Sequence, residues 1–211
     1  MSALRFGPDG ALPAGYARCA AGTTLLRGHS PDKAPDWFGP AVDGTGVGRF
    51  DVPLRTADAP GACYLSPTLE GVLLERVIRS SGRVVLSYRT VLREHAVTSA
   101  TLNRDLVLID LLSAAWTVHG VQMHEITALP PYRETQQLAH RLSRLSFMQA
   151  GDTAAWPDGI AYGSRFGAAH ECIALWDRGA TAVTWGATTP LGADRDVLAK
   201  ACNRLGIGLH E

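Results

Sequence analysis

A chain of 211 residues, 46% hydrophobic and 19% charged, is long enough to bury a core of its own and too apolar to stay disordered. Its 20 basic residues balance 20 acidic ones, which removes the net attraction that nucleic-acid binding usually draws on. Cys19, Cys63, Cys172 and Cys202 are far apart and form no CxxC pair, which argues against a zinc ribbon and a disulfide framework and makes a reduced, cytoplasmic compartment the expectation.

Residues 1–22 are rich in Gly, Pro and Ala without periodicity and read as a loosely packed N-terminal arm. They lack the basic cap and apolar block of an export signal. The domain proper is expected over 23–211. Thr23–Arg27 reads as a short strand, and the Gly- and Pro-rich stretch 28–48 as a long connection suited to binding. Within it, Gly44 to Gly48 lack the GxGxxG spacing and precede no helix pattern, so they are expected to relieve crowding before Arg49 or to offer amides to an anion.

Ala62–Leu65 reads as a strand and 67–79 as a helix, with Ser66 as N-cap and Pro67 at N1. At 100° per residue, Leu69, Leu73, Leu74, Val77 and Ile78 share one broad apolar arc, and Glu75 falls just outside it at the edge of the core. Glu70 lies inside the arc, in a first turn where the helix dipole favours negative charge.

Val84–Arg93, Leu106–Leu111, Glu171–Trp176 and Ala182–Trp185 are β-branched or aromatic enough for strands. The apolar run from Leu106 to Trp116 is broken by Asp110 and is shorter than the ~20 residues a membrane span needs. His119, His124 and Glu125 make no HExxH motif, so no metal is expected, and the absence of GxSxG gives no support to a hydrolase triad. Leu138, Leu142 and Leu145 mark one helix; Val197, Leu198, Ala201, Cys202 and Leu205 mark another, closed by Gly206. Strands and helices mix without a βαβα alternation, which predicts an α+β fold.

Taken singly, the polar candidates have ordinary explanations. Arg49 suits a surface ion pair, Tyr64 a core or rim aromatic, Glu75 a solvated helix face and Ser164 a turn. Their order and spacing say more. Leu26-Arg27, then Gly48-Arg49-Phe50-Asp51 with Pro53, then Tyr64-Leu65-Ser66 followed by Glu75 form one series of blocks. Leu108-Ile109-Asp110-Leu111, Tyr132 with Thr135-Gln136 and Ala139, and Asp158-Gly159-Ile160 with Tyr162 and Ser164 complete it. In this order the blocks resemble the RES-domain family, over about residues 24 to 186.

The resemblance implies ADP-ribosyltransferase-like split sheets enclosing an NAD cleft, with peripheral helices. It implies a toxin-like enzyme that cleaves the nicotinamide–ribose bond of NAD+, as an NAD+ phosphorylase or glycohydrolase. NAD+ is the substrate, inorganic phosphate a candidate co-substrate, and no other cofactor is expected. Glu75 would stabilise the cationic sugar, Arg49 and Arg27 hold the pyrophosphate, Tyr64 stack on the nicotinamide, and Ser164 bond the ribose or a phosphate. An Xre-type antitoxin that blocks the cleft is the expected partner, with neither nucleic acid nor membrane, and homo-oligomerisation is left open. The alternatives are an ADP-ribosyltransferase acting on a protein and a non-catalytic nucleotide- or partner-binding module.

Overall fold

The computed structural model describes residues 12–39, 48–51, 60–78, 85–127, 132–149 and 153–211. Its centre is a five-stranded mixed sheet with strands β1 (Tyr16–Cys19), β6 (Leu106–Asp110), β9 (Gly159–Ser164), β10 (Gly167–Trp176) and β3 (Ala62–Leu65) in that spatial order. The β6–β9 pair is parallel and the others are antiparallel. A second, antiparallel sheet runs β11 (Val183–Pro190), β5 (Ala96–Leu102) and β2 (Thr24–His29). The two meet where Leu26 of β2 exchanges backbone hydrogen bonds with Ser66, just past β3. This is the expected α+β fold with split sheets.

Strand alternation sends successive side chains to opposite faces, and that fixes three cores. Cys63, Leu65, Ala161, Ile173 and Leu175 face the second sheet and pack against Leu25, Ala100 and Leu102. On the other face, Ile160, Tyr162, Ala174 and Trp176 pack under α3 (Met123–Thr127) and α4 (Arg133–Ser143), which contributes Leu138, Ala139 and Leu142. The third core joins α1 (Leu69–Val72, running on as a π-helical stretch Leu73–Ile78) to α2 (Tyr88–Glu94) and α5 (Arg195–Arg204). Each fully buried large side chain, such as Trp176 or Leu138, contributes about 1.5–3 kcal/mol. A parallel pair, β4 (Val85–Ser87) with β12 (Gly208–His210), and a hairpin, β7 (Phe147–Gln149) with β8 (Thr153–Ala155), flank the main sheets. Among the described residues, no helix is long and apolar enough to cross a membrane, and no three His, Cys, Asp or Glu side chains group as metal ligands.

Several expectations are corrected. Tyr16–Cys19, placed in a loose arm, form edge strand β1, with Tyr16, Ala17 and Cys19 buried; residues 1–11 lie outside the described set. Of the expected strand over Val84–Arg93, Val84 lies outside the described residues and, among the rest, only Val85–Ser87 are extended. Tyr88–Glu94 turn into α2, where Val91 faces the core and Arg89 and Arg93 face solvent. Helix α1 is capped not by Ser66 but by Thr68, whose hydroxyl accepts from the Gly71 amide at 3.2 Å. Ser66 Oγ instead accepts from the Thr68 amide and donates to the Glu171 carbonyl. A Cβ on Gly71 would collide with that hydroxyl, so glycine is what lets the helix start against β3. Val197 is exposed rather than part of the α5 stripe, whereas Leu198, Ala201 and Cys202 are buried.

Candidate functional site

The site is built where β3 and β9 end beside α1. Cys63 and Leu65 belong to the core between the sheets, so Tyr64 points the other way, to the face that also carries Tyr162 and, two residues on, Ser164. The Tyr64 hydroxyl donates to Asp51 Oδ1 and accepts from the Phe50 amide, each at 2.8 Å. Asp51 also accepts from the Gly48 amide, and Gln136 Nε2 of α4 donates to the Gly48 carbonyl at 3.2 Å. This network closes residues 48–51 into a turn that presents Arg49. A side chain at position 48 would strike the Tyr64 hydroxyl and Asp51, so the glycine before the arginine is a steric requirement.

Arg49 is 3% exposed. Its guanidinium donates to the Ile126 carbonyl and, at a long 3.5 Å, to the Gly163 carbonyl, and it lies 5.0 Å from the Phe50 ring centre and 5.4 Å from that of Tyr162. Nε is buried without a hydrogen-bond partner. Every partner is neutral: among the described residues no carboxylate pairs with this cation. A buried guanidinium without a counter-charge costs several kcal/mol, so the position favours an anion brought from outside.

Glu75 sits partly buried in the π-helical stretch, at the edge of the core as its place on the helical wheel predicts. Tyr162, fully buried, donates its hydroxyl to Glu75 Oε2 at 3.0 Å. Burial, and then the charge of Glu75, push the Tyr162 phenol well above its ordinary ionisation range, so it stays a donor. Burial, aided by Glu75, likewise raises the thiol of Cys172, opposite Tyr162 in the sheet, which removes it as a nucleophile. Ser164 is buried, and its Oγ accepts only a long 3.4 Å bond from the Phe166 amide.

Tyr162 thus brings three candidates together: its hydroxyl holds Glu75, its face carries Arg49, and Tyr64 meets it edge-on at 6.5 Å between ring centres. Ser164 shares their face of the sheet. Arg27 does not join them. Its guanidinium donates to the Pro35 and Trp37 carbonyls and lies 5.6 Å from the centre of the Trp185 ring. It also adjoins the Cys63 thiol, which burial pushes up to about 12, on the side of β3 away from Tyr64. In this arrangement Arg27 secures the 31–39 segment. Residues 40–47, which include most of the expected glycine loop, and Pro53 lie outside the described set.

Sequence reasoning assigned no role to Tyr162, Asp51 or Gln136. Their signals were present: Tyr162 precedes Ser164 by the strand period of two, and Asp51 follows Gly48 by the three residues of a side-chain-closed turn. Glu70, expected to be explained by the helix dipole, is buried and bonded by Arg204 of α5 at 2.8 Å.

A family model described as the RES domain matches residues 24–194. No curated protein matches the chain. Among solved structures, a chain of the crystal structure of the M. tuberculosis MbcT-MbcA toxin-antitoxin complex is similar, with a TM-score of 0.57 and 15% identity over 85% of this chain and 91% of that one. At that identity the likeness is one of fold.

Proposed function

The chain belongs to the RES-domain family, and on that premise we propose that it is a toxin-like enzyme that cleaves the nicotinamide–ribose bond of NAD+. The observation that carries this reading is the pair of charges held by one residue: Tyr162 orients the Glu75 carboxylate with its hydroxyl and supports the uncompensated Arg49 guanidinium with its ring. A dinucleotide needs both, a cation for its pyrophosphate and an anion beside the ribose that becomes positive.

Nicotinamide leaves from a pyridinium, taking the electron pair of the C1′–N bond and departing neutral, so no general acid is required. The barrier lies in the oxocarbenium character at C1′, which Glu75 stabilises by charge and through the ribose hydroxyls. Arg49 offers its Nε and remaining N–H edges to the pyrophosphate. Tyr64, fixed by Asp51 and the Phe50 amide, presents its ring to the nicotinamide, and Ser164 bonds the ribose or a phosphate. Arg27 assists by holding the 31–39 segment. An oxygen of inorganic phosphate attacks C1′ to give ADP-ribose-1″-phosphate, or water attacks and loses a proton to solvent, giving ADP-ribose.

The partner in this proposal is an Xre-type antitoxin that closes the site; in support, the similar fold comes from a complex of a toxin with its antitoxin. Incubation of the pure chain with NAD+, with and without phosphate, followed by mass spectrometry of small molecules and protein tests the whole reading. Free nicotinamide with either small-molecule product supports it. ADP-ribose carried on protein favours the transferase alternative, and intact NAD+ contradicts both.

A further inference from the structure

Immediately after Ser164 stands an arginine that, like Arg49, has no ion pair with an acidic side chain among the described residues. The Arg165 guanidinium lies 4.6 Å from the Phe166 ring centre and 5.5 Å from that of Tyr132, and its Nη1 is buried without a hydrogen-bond partner. Stacking on aromatic faces fixes the plane of a guanidinium and leaves its N–H edges for acceptors in that plane. Tyr132 is itself unusual, a bulky residue in the left-handed conformation, φ 54°, at the start of α4. One turn further, Gln136 bonds the carbonyl of Gly48, the neighbour of Arg49, so the platform under Arg165 belongs to the wall that positions Arg49.

Along the chain, Ser164 stands between Gly163, whose carbonyl Arg49 bonds, and Arg165. Arg49 reaches back to the carbonyl of Gly163, and Arg165 leaves the strand two residues later, about 7 Å along it. We propose that Arg165 and the Ser164 hydroxyl form a second anion-binding position, separate from the Arg49 position and fitted to a tetrahedral phosphoryl group. The inference rests on the NAD+ reading for its two possible occupants: one phosphate of the dinucleotide, or free phosphate as the acceptor. Either has the charge and the fork of oxygens that a stacked guanidinium bonds.

Calorimetric titration of the full chain with NAD+ and, separately, with inorganic phosphate distinguishes them. In Arg165→Gln, a roughly 10-fold loss of NAD+ affinity with phosphate binding retained assigns the position to the dinucleotide; the converse assigns it to free phosphate. Arg165→Lys, which keeps charge and stem without the fork, should lose the same affinity in part, about 3-fold, and guards against a folding defect in the glutamine variant. Unchanged affinity for both ligands in a folded Arg165→Gln protein overturns the inference, as does a wild-type chain that binds neither. A wild-type chain that binds both while releasing no nicotinamide sinks the proposed reaction and leaves the anion position standing.

Discussion

The Tyr162 hydroxyl donates to the Glu75 carboxylate at 3.0 Å, joining the middle of β9 to the π-helical stretch of α1 across 87 residues of chain. Hydrogen bonds to charged groups are worth about 1.5–3 kcal/mol. Tyr162→Phe should therefore lower kcat by roughly 10- to 100-fold with KM little changed, since the ring that carries Arg49 remains. Steady-state kinetics with a thermal melt as control checks this; an unchanged kcat would show that Glu75 is not oriented by Tyr162.

Arg49→Lys keeps the charge and gives up the planar fork. The three donors of an ammonium radiate from one nitrogen and do not reproduce the spread of the guanidinium, whose separate nitrogens bond the Ile126 and Gly163 carbonyls, so NAD+ affinity should fall by about 10-fold or more. Calorimetry on the folded variant decides, and wild-type affinity would count against Arg49 as the pyrophosphate ligand.

Gly48→Ala places a methyl group against the Tyr64 hydroxyl and Asp51. Relief requires breaking the network that closes residues 48–51, at a cost of about 1–3 kcal/mol typical of overpacking. Denaturant unfolding should show that loss, and turnover should fall with it because Arg49 is displaced.

Acid should destabilise the fold before its carboxylates titrate. His29, bonded to Thr98 at 2.8 Å, and His95 both have ionisation lowered chiefly by burial, with arginines adding to the effect. A histidine whose folded-state value lies below its unfolded value of about 6.5 takes up its proton more readily when unfolded, so full stability holds above pH 6.5 and declines as pH falls below it. Thermal midpoints measured from pH 7.5 to 5 should drop, and less so in His29→Gln; a flat profile would contradict this.

How much of this was legible follows from which residues carry local information. Strand β3 was found at its observed bounds because Ala62–Leu65 is a short apolar run between turn-forming residues. Helix α1 and the core-edge position of Glu75 followed from its periodicity, and α5 from its stripe and Gly206, whose φ of +68° is the left-handed stop that glycine provides. Strand β5 is hard to read because, apart from Leu102 at its end, its inward residues Ala96, Thr98 and Ala100 are too small or polar to signal a core, though they alternate with period two. In α2, Val91 and Leu92 suggested a strand where tertiary packing of Val91 imposed a helix. At the site, joint spacing named Arg49, Tyr64, Glu75 and Ser164, and the fold brings the first three of these around Tyr162 or onto its ring; the roles given to all four belong to the proposal. Tyr162 stands in the last of the spaced blocks but carries no role there, because a buried tyrosine is ordinarily core; only the fold reveals that its hydroxyl meets a carboxylate. Arg27 could not be separated from Arg49 in sequence, since which side of β3 a side chain faces is decided by pairing between distant strands.

The central claim is that Glu75, held by Tyr162, stabilises a ribosyl cation as nicotinamide departs. Nicotinamide release from NAD+ by the pure chain, compared with that by Glu75→Gln, tests it most directly. The account predicts release by the wild type and a loss of about 10²- to 10⁴-fold in the folded variant, the scale of losing one transition-state charge. Equal release by the two proteins, or none from the wild type, would contradict it.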